Sequence, residues 1–302
     1  MGHQRSKTRE QAFDKVCMLA IVYGLEVKYM FRIVVRGWLL WVLLQLAACS
    51  SLAPEPDYPA AEAGLSPTPW TLASTGSRSA PAWQHYKLPG KQPSQFSYVR
   101  KDGRDAMAVR ATSSASMVRQ KLRIEPAELA SVRFSWKVPE LMAQADMALR
   151  EADDSPVRIV LAFEGDRSKF SAKNAMLSEL ARALTGEEMP YATLMYVWCN
   201  TRTPGAVIVN PRTDRIRKLV VESGAGRLQQ WVDYERNIRA DYEKAFGEAP
   251  GALVGIGIMT DSDNTRSNTQ AWYGPVTLPA TPVNAAAADV ALIAPVESLL
   301  KR

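Results

Sequence analysis

Between Trp83 and Leu278 apolar and polar residues alternate in short blocks, and the period of the alternation lengthens at two places. Val132, Phe134, Trp136 and Val138 are interleaved with Arg133, Ser135 and Lys137, the pattern of a strand with one buried face and one basic face. Val118, Leu122 and Ile124 interleave in the same way with Arg119, Lys121 and Arg123. Gln95–Val99 and Ala106–Ala111 read as strands on either side of the Lys-Asp-Gly-Arg turn at 101–104. Val157, Ile159, Val160, Leu161 and Phe163 form a nearly continuous, β-branched apolar run, which predicts a central strand. An acidic turn that ends at Pro156 precedes it. Tyr191–Trp198, Arg217–Val221, Leu253–Met259 and Gln270–Leu278 complete the strands. Helical spacing occurs over Ala172–Leu184, where Met176, Leu180 and Leu184 fall at i, i+4 and i+8 ahead of Gly186. It recurs over Asn237–Phe246, where Ile238, Tyr242 and Phe246 are in register ahead of Gly247.

Many short strands, turn residues between them and few helices predict a mainly β protein. The expected fold is a single jelly-roll-like β-sandwich with two short helices, spanning residues 82–279. An Ala-rich tail, 280–302, follows, and no internal repeat is present.

The N-terminal region reads as an address. Met30 opens a basic segment with Arg32 and Arg36, then the apolar run from Trp38 to Leu44, then Leu46-Ala47-Ala48-Cys49. A short apolar core with basic flanks and small residues before a cut is a secretory signal, too short for a stable span. The last four residues look like a bacterial lipobox, so 30–48 is read as a lipoprotein signal peptide with Cys49 the lipidated residue. The bland alternative is an N-terminal membrane helix with an incidental cysteine. Residues 1–29 are a doubtful extension, and the start is Met1 or Met30. Several acyl chains on Cys49 would anchor the protein stably. Ser50 rather than Asp follows the cysteine, which by the common sorting rule favours the outer membrane with the domain facing the periplasm. Residues 49–81 are rich in Pro, Ala, Ser, Thr and Gly and read as a flexible tether.

Charge and composition narrow the function. Of a net charge of +6, much lies in the first 48 residues, with seven Lys/Arg against three Asp/Glu, leaving 30 against 28 beyond them. That is not the footprint of a nucleic-acid binder. Two histidines, His3 and His85, and three cysteines, Cys17, Cys49 and Cys199, give no Ser-His-Asp triad, no zinc spacing and no disulfide framework.

A set of segments carries a family resemblance: Trp83-x-x-Tyr86-x-Leu88-Pro89-Gly90, Phe134-Ser-Trp136-Lys137-Val138 and Glu151-Ala-Asp153-Asp154-Ser-Pro156. Tyr196-Val-Trp198, Glu235-Arg236-Asn237, Asp241-Tyr242, Phe246-Gly247 and Gly257-Ile-Met-Thr-Asp261-Ser-Asp263-Asn264-Thr265 continue it. The chain resembles the bacterial family catalogued as domain of unknown function 3047 over about Trp83 to Leu278. Cys199 departs from it, since a small residue after Trp198 is more usual. The resemblance implies a secreted or envelope-facing domain and carries over no catalytic residues.

The candidate ligand-binding residues are Asp153, Asp154, Glu235, Arg236, Asp261, Asp263, Trp272 and Tyr273; none is assigned a catalytic role. Asp153 and Asp154 sit at the mouth of the predicted central strand, where they bind a ligand or only hydrogen-bond the local backbone before Pro156. Asp261-Ser-Asp263-Asn264-Thr265 begins like an EF-hand but has Arg266 in place of the required Gly and Trp272 in place of the bidentate Glu. A structural calcium held by Asp261 and Asp263, shared with the Asp153 loop, is one expectation, and plain turn formation is the other. Glu235 and Arg236 read as an acid/base or sugar-hydroxyl clamp, or as an ion pair beside a helix capped by Asn237. Trp136 and Trp198 are expected in the core, and Trp272 and Tyr273 on a stacking face for a glycan. Cys199 reads as a buried, inert thiol. The basic residues Arg119, Lys121, Arg123, Arg133 and Lys137 read as a solvated strand face, with anionic lipid or polysaccharide as the alternative partner.

The leading expectation is thus a lipid-anchored, non-catalytic β-sandwich that binds an envelope glycan or another extracytoplasmic partner. A carboxylate-dependent polysaccharide hydrolase or lyase is the alternative. It pairs Asp153 or Asp154 with Glu235 or Asp261 about 5–10 Å apart. A structural envelope-assembly factor is the third reading.

Overall fold

A computed structural model describes residues 63–74 and 82–278. Residues 1–29, the signal segment 30–48, Cys49 and the tail 280–302 lie outside the described residues.

The strands are β1 (Ala63–Gly64), β2 (Gln84–Lys87), β3 (Gln95–Lys101), β4 (Arg104–Thr112), β5 (Ala115–Ile124), β6 (Ser131–Lys137) and β7 (Ser155–Phe163). They continue with β8 (Ala192–Cys199), β9 (Val207–Val209), β10 (Ile216–Ser223), β11 (Trp231–Asn237), β12 (Leu253–Asp261) and β13 (Asn268–Tyr273). Three helices join them: α1 (Pro69–Ala73), α2 (Ala172–Thr185) and α3 (Ile238–Phe246). The larger sheet runs β1-β2-β5-β12-β7-β8-β10-β9 and the smaller β11-β6-β13-β4-β3. From β10 onward successive strands alternate between the sheets, as β5, β6 and β7 also do. That alternation makes a jelly-roll-like sandwich. Pairing is antiparallel except between β8 and β10.

The core lies between the sheets. Val157, Ile159, Leu161 and Phe163 of β7 face it, as do Leu194, Tyr196 and Trp198 of β8 and Phe134 and Trp136 of β6. Phe134 stacks on Tyr196 with ring centroids 5.6 Å apart. Full burial of each such side chain stabilises the fold by about 1.5–3 kcal/mol. Helix α3 starts where Asn237 Oδ1 accepts from the Ala240 N–H at 2.9 Å, and ends at Gly247 in the left-handed region. It closes the core with Ile238 and Tyr242, whose ring lies 4.7 Å from that of Phe163.

Two expectations are corrected. Within the segment read as a flexible tether, residues 63–74 are folded. Gly64 and Ala63 pair with β2, a Thr68–Thr71 capping box starts α1, and Trp70 is fully buried with its ring 5.1 Å from that of Trp83. Helix α2 forms as expected but faces the other way. Met176, Leu180 and Leu184 are 64%, 52% and 51% exposed, and its buried residues are Asn174 and Ser178. Asn174 donates to Asp214 at 2.6 Å and accepts from Thr213 at 2.7 Å, so hydrogen bonds rather than an apolar stripe set the helix's rotation. Among the described residues no helix is long and apolar enough to cross a membrane.

Candidate functional site

The outer face of the larger sheet is not simply solvated. Alternation along β7 sends Arg158 and Val160 outward while Val157 and Ile159 face the core. The same holds for Met195 and Val197 on β8, Val220 on β10 and Met259 on β12, and Met147 from the loop before β7 packs over them as a second apolar layer. At one end of this layer lies a buried charge cluster, and beside it an open groove.

The cluster is centred on Arg158, which is 3% exposed. Its Nε donates to Asp261 Oδ1 at 3.0 Å, and its Nη2 lies 3.0 Å from Asp261 Oδ2 and 3.2 Å from Asp153 Oδ1. Lys218 of β10, with no exposed surface, donates to Asp153 Oδ1 at 2.5 Å and to the Met147 carbonyl at 2.9 Å. Asn210 donates to the other Asp153 oxygen at 3.0 Å. Asp154 faces the 262–267 loop and accepts from the backbone N–H groups of Asn264 at 3.2 Å and Thr265 at 2.7 Å, and from the Thr265 hydroxyl at 2.6 Å. Burial pushes Asp261 up to about 7, with the neighbouring Asp154 and Asp153 carboxylates adding to the rise and Arg158 opposing it. Burial pushes Lys218 down to about 8; Arg158 adds to the fall, and Asp153 opposes it. Despite its burial Arg158 is held cationic by Asp261 and Asp153.

Tyr273 reaches this cluster from the opposite sheet. The register of β12 against β7 shifts between Met259 and Asp261. There the Tyr273 hydroxyl accepts from the Arg158 backbone N–H at 3.1 Å and donates to the Met259 carbonyl at 2.6 Å. Thr260 Oγ1 lies 2.9 Å from the same hydroxyl. The phenol therefore satisfies backbone groups that the bulge would otherwise leave buried and unpaired.

The groove, of about 470 Å³, lies between the outer face of the larger sheet and α2 with the loop that follows it. That size is ordinary for a small-molecule site. Met117, Val160, Met195 and Ile216 give it an apolar floor, and Gly255 and Gly257 leave bare backbone beside them. Tyr86, Arg119, Gln120, Lys121, Thr193 and Glu187 supply polar groups. The Arg119 guanidinium lies over the Tyr86 ring, 3.9 Å from its centroid. Burial pushes Glu187 up, but Lys121 and Arg119 outweigh it and hold the carboxyl below its ordinary range.

The eight residues expected to bind a ligand thus fall into separate places. Asp153, Asp154, Asp261 and Asp263 converge, and the Tyr273 hydroxyl bonds the Arg158 backbone N–H beside them. Glu235 and Arg236 lie on β11 at the edge of the smaller sheet. There Glu235 pairs with Arg133 at 3.1 Å, while Arg236 pairs with Asp241 at 2.5 Å. Trp272 lies beneath Lys101, whose Nζ is 4.8 Å from the ring centroid. Tyr273 is fully buried, so the expectation that it lines a stacking face is corrected: its inward position on β13 puts it in the core. Cys199 is a free, buried thiol in the outer layer. The outward basic residues are paired, Arg119 and Lys121 with Glu187, Arg123 with Glu125 and Glu164, and Lys137 with Asp102.

Carboxylate oxygens of Asp154, Asp261 and Asp263 lie within 4.8 Å of one another, a spacing that suits an oxygen-binding cation such as Ca²⁺. Cations of the protein already face two of them, Arg158 at Asp261 and Lys91 at Asp263. Asp154 is taken by the Thr265 and Asn264 donors.

A family model described as "Protein of unknown function (DUF3047)" matches residues 81–277. The chain belongs to this family. No curated protein matches it. Among solved structures, it is similar to the xyloglucanase domain of NopAA, a type three effector from Sinorhizobium fredii, in complex with cellobiose. The match has a TM-score of 0.34 and 10% identity, and it covers 68% of this chain and 96% of that one. An overlap that slight says nothing of ligand or reaction.

Two residues of the DUF3047 domain's cluster escaped sequence reasoning. Arg158 sits inside the apolar run of β7, and Lys218 stands between Arg217 and Leu219 on β10. For Arg158 a lone cation amid residues of a doubly buried strand was the available signal, since such a charge needs a buried partner; Lys218, beside Arg217, carried none.

Proposed function

We propose that this chain is a lipid-anchored protein of the cell envelope whose β-sandwich binds a glycan without cleaving it. The groove on the outer face of the larger sheet carries the reading. It combines an apolar floor, bare glycine backbone and a rim of planar and charged groups, the mixture that suits the apolar face and hydroxyl edge of a sugar. The acidic residues argue for binding over chemistry. Glu235 lies on the smaller sheet while the Asp153–Asp154 pair lies in the loop that leads into β7 of the larger one, and Asp153, Asp154 and Asp261 are buried and engaged with cations or N–H donors. Cys49 is the proposed anchor, with the domain in the periplasm beneath the outer membrane.

The test is a thermal titration of the full chain with envelope oligosaccharides, with the products analysed in parallel. A rise in melting temperature with the sugar intact supports the reading, because a ligand of the folded state must raise it. Ala181→Trp, which fills the groove from α2, should abolish the rise. Shortened sugar would move the protein to the hydrolase reading. Labelling with a radioactive fatty acid checks the anchor; label retained in Cys49→Ser would sink it.

The exposed stripe of Met176, Leu180 and Leu184 favours a second reading, an envelope-assembly factor that docks a protein on α2. Co-purification of one protein lost in Leu180→Arg, with no sugar binding, would support it.

A further inference from the structure

The groove holds two cations whose shared counter-charge comes from the protein itself. Arg119 and Lys121 occupy alternate positions of β5 and so share its outer face. Glu187 bridges them: Arg119 Nη2 donates to Oε2 at 2.9 Å and Lys121 Nζ to Oε1. The aromatic ring of Tyr86 under Arg119 fixes the plane in which the guanidinium presents its donors. The Glu187 N–H is tied to Thr185 Oγ1 at 3.1 Å, and α2 ends beside it at Gly186 in the left-handed region. With the backbone held there, separating the carboxylate from the two cations takes side-chain rotation rather than backbone movement.

We propose that the groove's ligand is an acidic sugar whose carboxylate replaces that of Glu187 between Arg119 and Lys121, with the ring on the floor of Met117, Met195 and Gly257. The proposal rests on the groove being the glycan site. A neutral sugar offers no charge to take the place of the Glu187 carboxylate beside the two cations. A carboxylate matches the guanidinium fork and restores the same charge-assisted hydrogen bonds. No added side chain fits at Gly257 without pressing on its neighbours, since a Cβ there would meet the Val118 carbonyl oxygen at 3.1 Å and the Arg119 Cβ at 3.3 Å. The sheet thus stays bare where the ring would lie. Glu187 acts as an internal competitor, and the observed affinity is lowered by the fraction of molecules in which it occupies the cations.

Calorimetric titration of the full chain with trigalacturonate, with neutral galactotriose and with dodecyl phosphate tests this. Glu187→Gln should tighten trigalacturonate by about tenfold relative to galactotriose, the worth of one net charge-assisted hydrogen bond. Arg119→Gln should weaken trigalacturonate by about tenfold or more, and Lys121→Gln, on a more exposed side chain, should weaken it by a smaller factor. Galactotriose binding as tightly as trigalacturonate, with Glu187→Gln silent, would overturn the acidic ligand and leave the glycan site standing. Dodecyl phosphate binding in preference to both sugars would overturn the sugar. Binding of no probe to any of the folded variants would overturn both the inference and the site on which it rests.

Discussion

Lys218 Nζ donates to Asp153 Oδ1 at 2.5 Å, and neither side chain is more than 5% exposed. Asp153 also faces Arg158, which Asp261 holds from its other side, so one carboxylate bridges two cations beneath the loop that carries Met147. Asp153→Ala strands Lys218 and leaves Arg158 with Asp261 alone, and it should cost about 3–5 kcal/mol, the range found when one partner of a buried pair is removed. Lys218→Met keeps the apolar stem and leaves Asp153 with Arg158 and Asn210, so it should cost less than half as much. Urea unfolding of the two variants gives the comparison.

The cluster should also shape stability against pH. Asp261 is raised from its ordinary value to about 7, so between about pH 4 and 7 the folded protein holds a proton that the unfolded chain has released. Stability therefore falls as pH rises through that window, by at most about 1.4 kcal/mol per pH unit from this group. Lys218 is lowered to about 8, so between about pH 8 and 10 the unfolded chain holds the extra proton and the contribution rises again. These two groups together place a trough near pH 7–8. Unfolding free energies at pH 5, 7.5 and 9.5 check it, and in Asp261→Asn the fall from 5 to 7.5 should disappear.

Tyr273→Phe removes one hydroxyl and leaves the Arg158 N–H and the Met259 carbonyl without that partner at the bulge. The expected loss is about 1–3 kcal/mol, the cost of unsatisfied buried polar groups. A loss below 0.5 kcal/mol would show that the bulge closes on its own; about that much is typical of a surface change.

On α2 the expected sensitivities are the reverse of those an amphipathic reading gives. Leu180→Gln and Met176→Gln should change stability by no more than about 0.5 kcal/mol, because both side chains are already in water. Asn174→Ala should cost about 1–3 kcal/mol, since Thr213 and Asp214 lose their shared partner. Thermal or urea melts of the three variants separate the two orientations.

Calcium and EDTA should leave the melting temperature where it is, because Arg158, Lys91 and the Thr265 donors already serve the three clustered carboxylates. A rise with Ca²⁺ that EDTA reverses would instead assign Asp154, Asp261 and Asp263 to a structural ion.

The sequence by itself determined the strands, because an alternating side-chain pattern leaves a strand one way to bury its apolar face. The run Val157 to Phe163 and the alternation at Val132 to Val138 needed no partner to be read, and α3 announced itself through Asn237, Tyr242 and Gly247. The family was legible for the same reason, since most of its segments are strands and the turns between them, with Asp241-Tyr242 and Phe246-Gly247 on α3. Only the tertiary structure decided which charges meet. Asp153 with Arg158, Lys218 and Asp261 come from three separate segments, and the order of β12, β7, β8 and β10 in one sheet brings them together. The rotation of α2 was likewise settled by Thr213 and Asp214, 39 and 40 residues further along the chain than Asn174. Periodicity records which positions share a face. It does not record what that face will meet, because pairing between distant strands and loops is a property of the assembled sandwich.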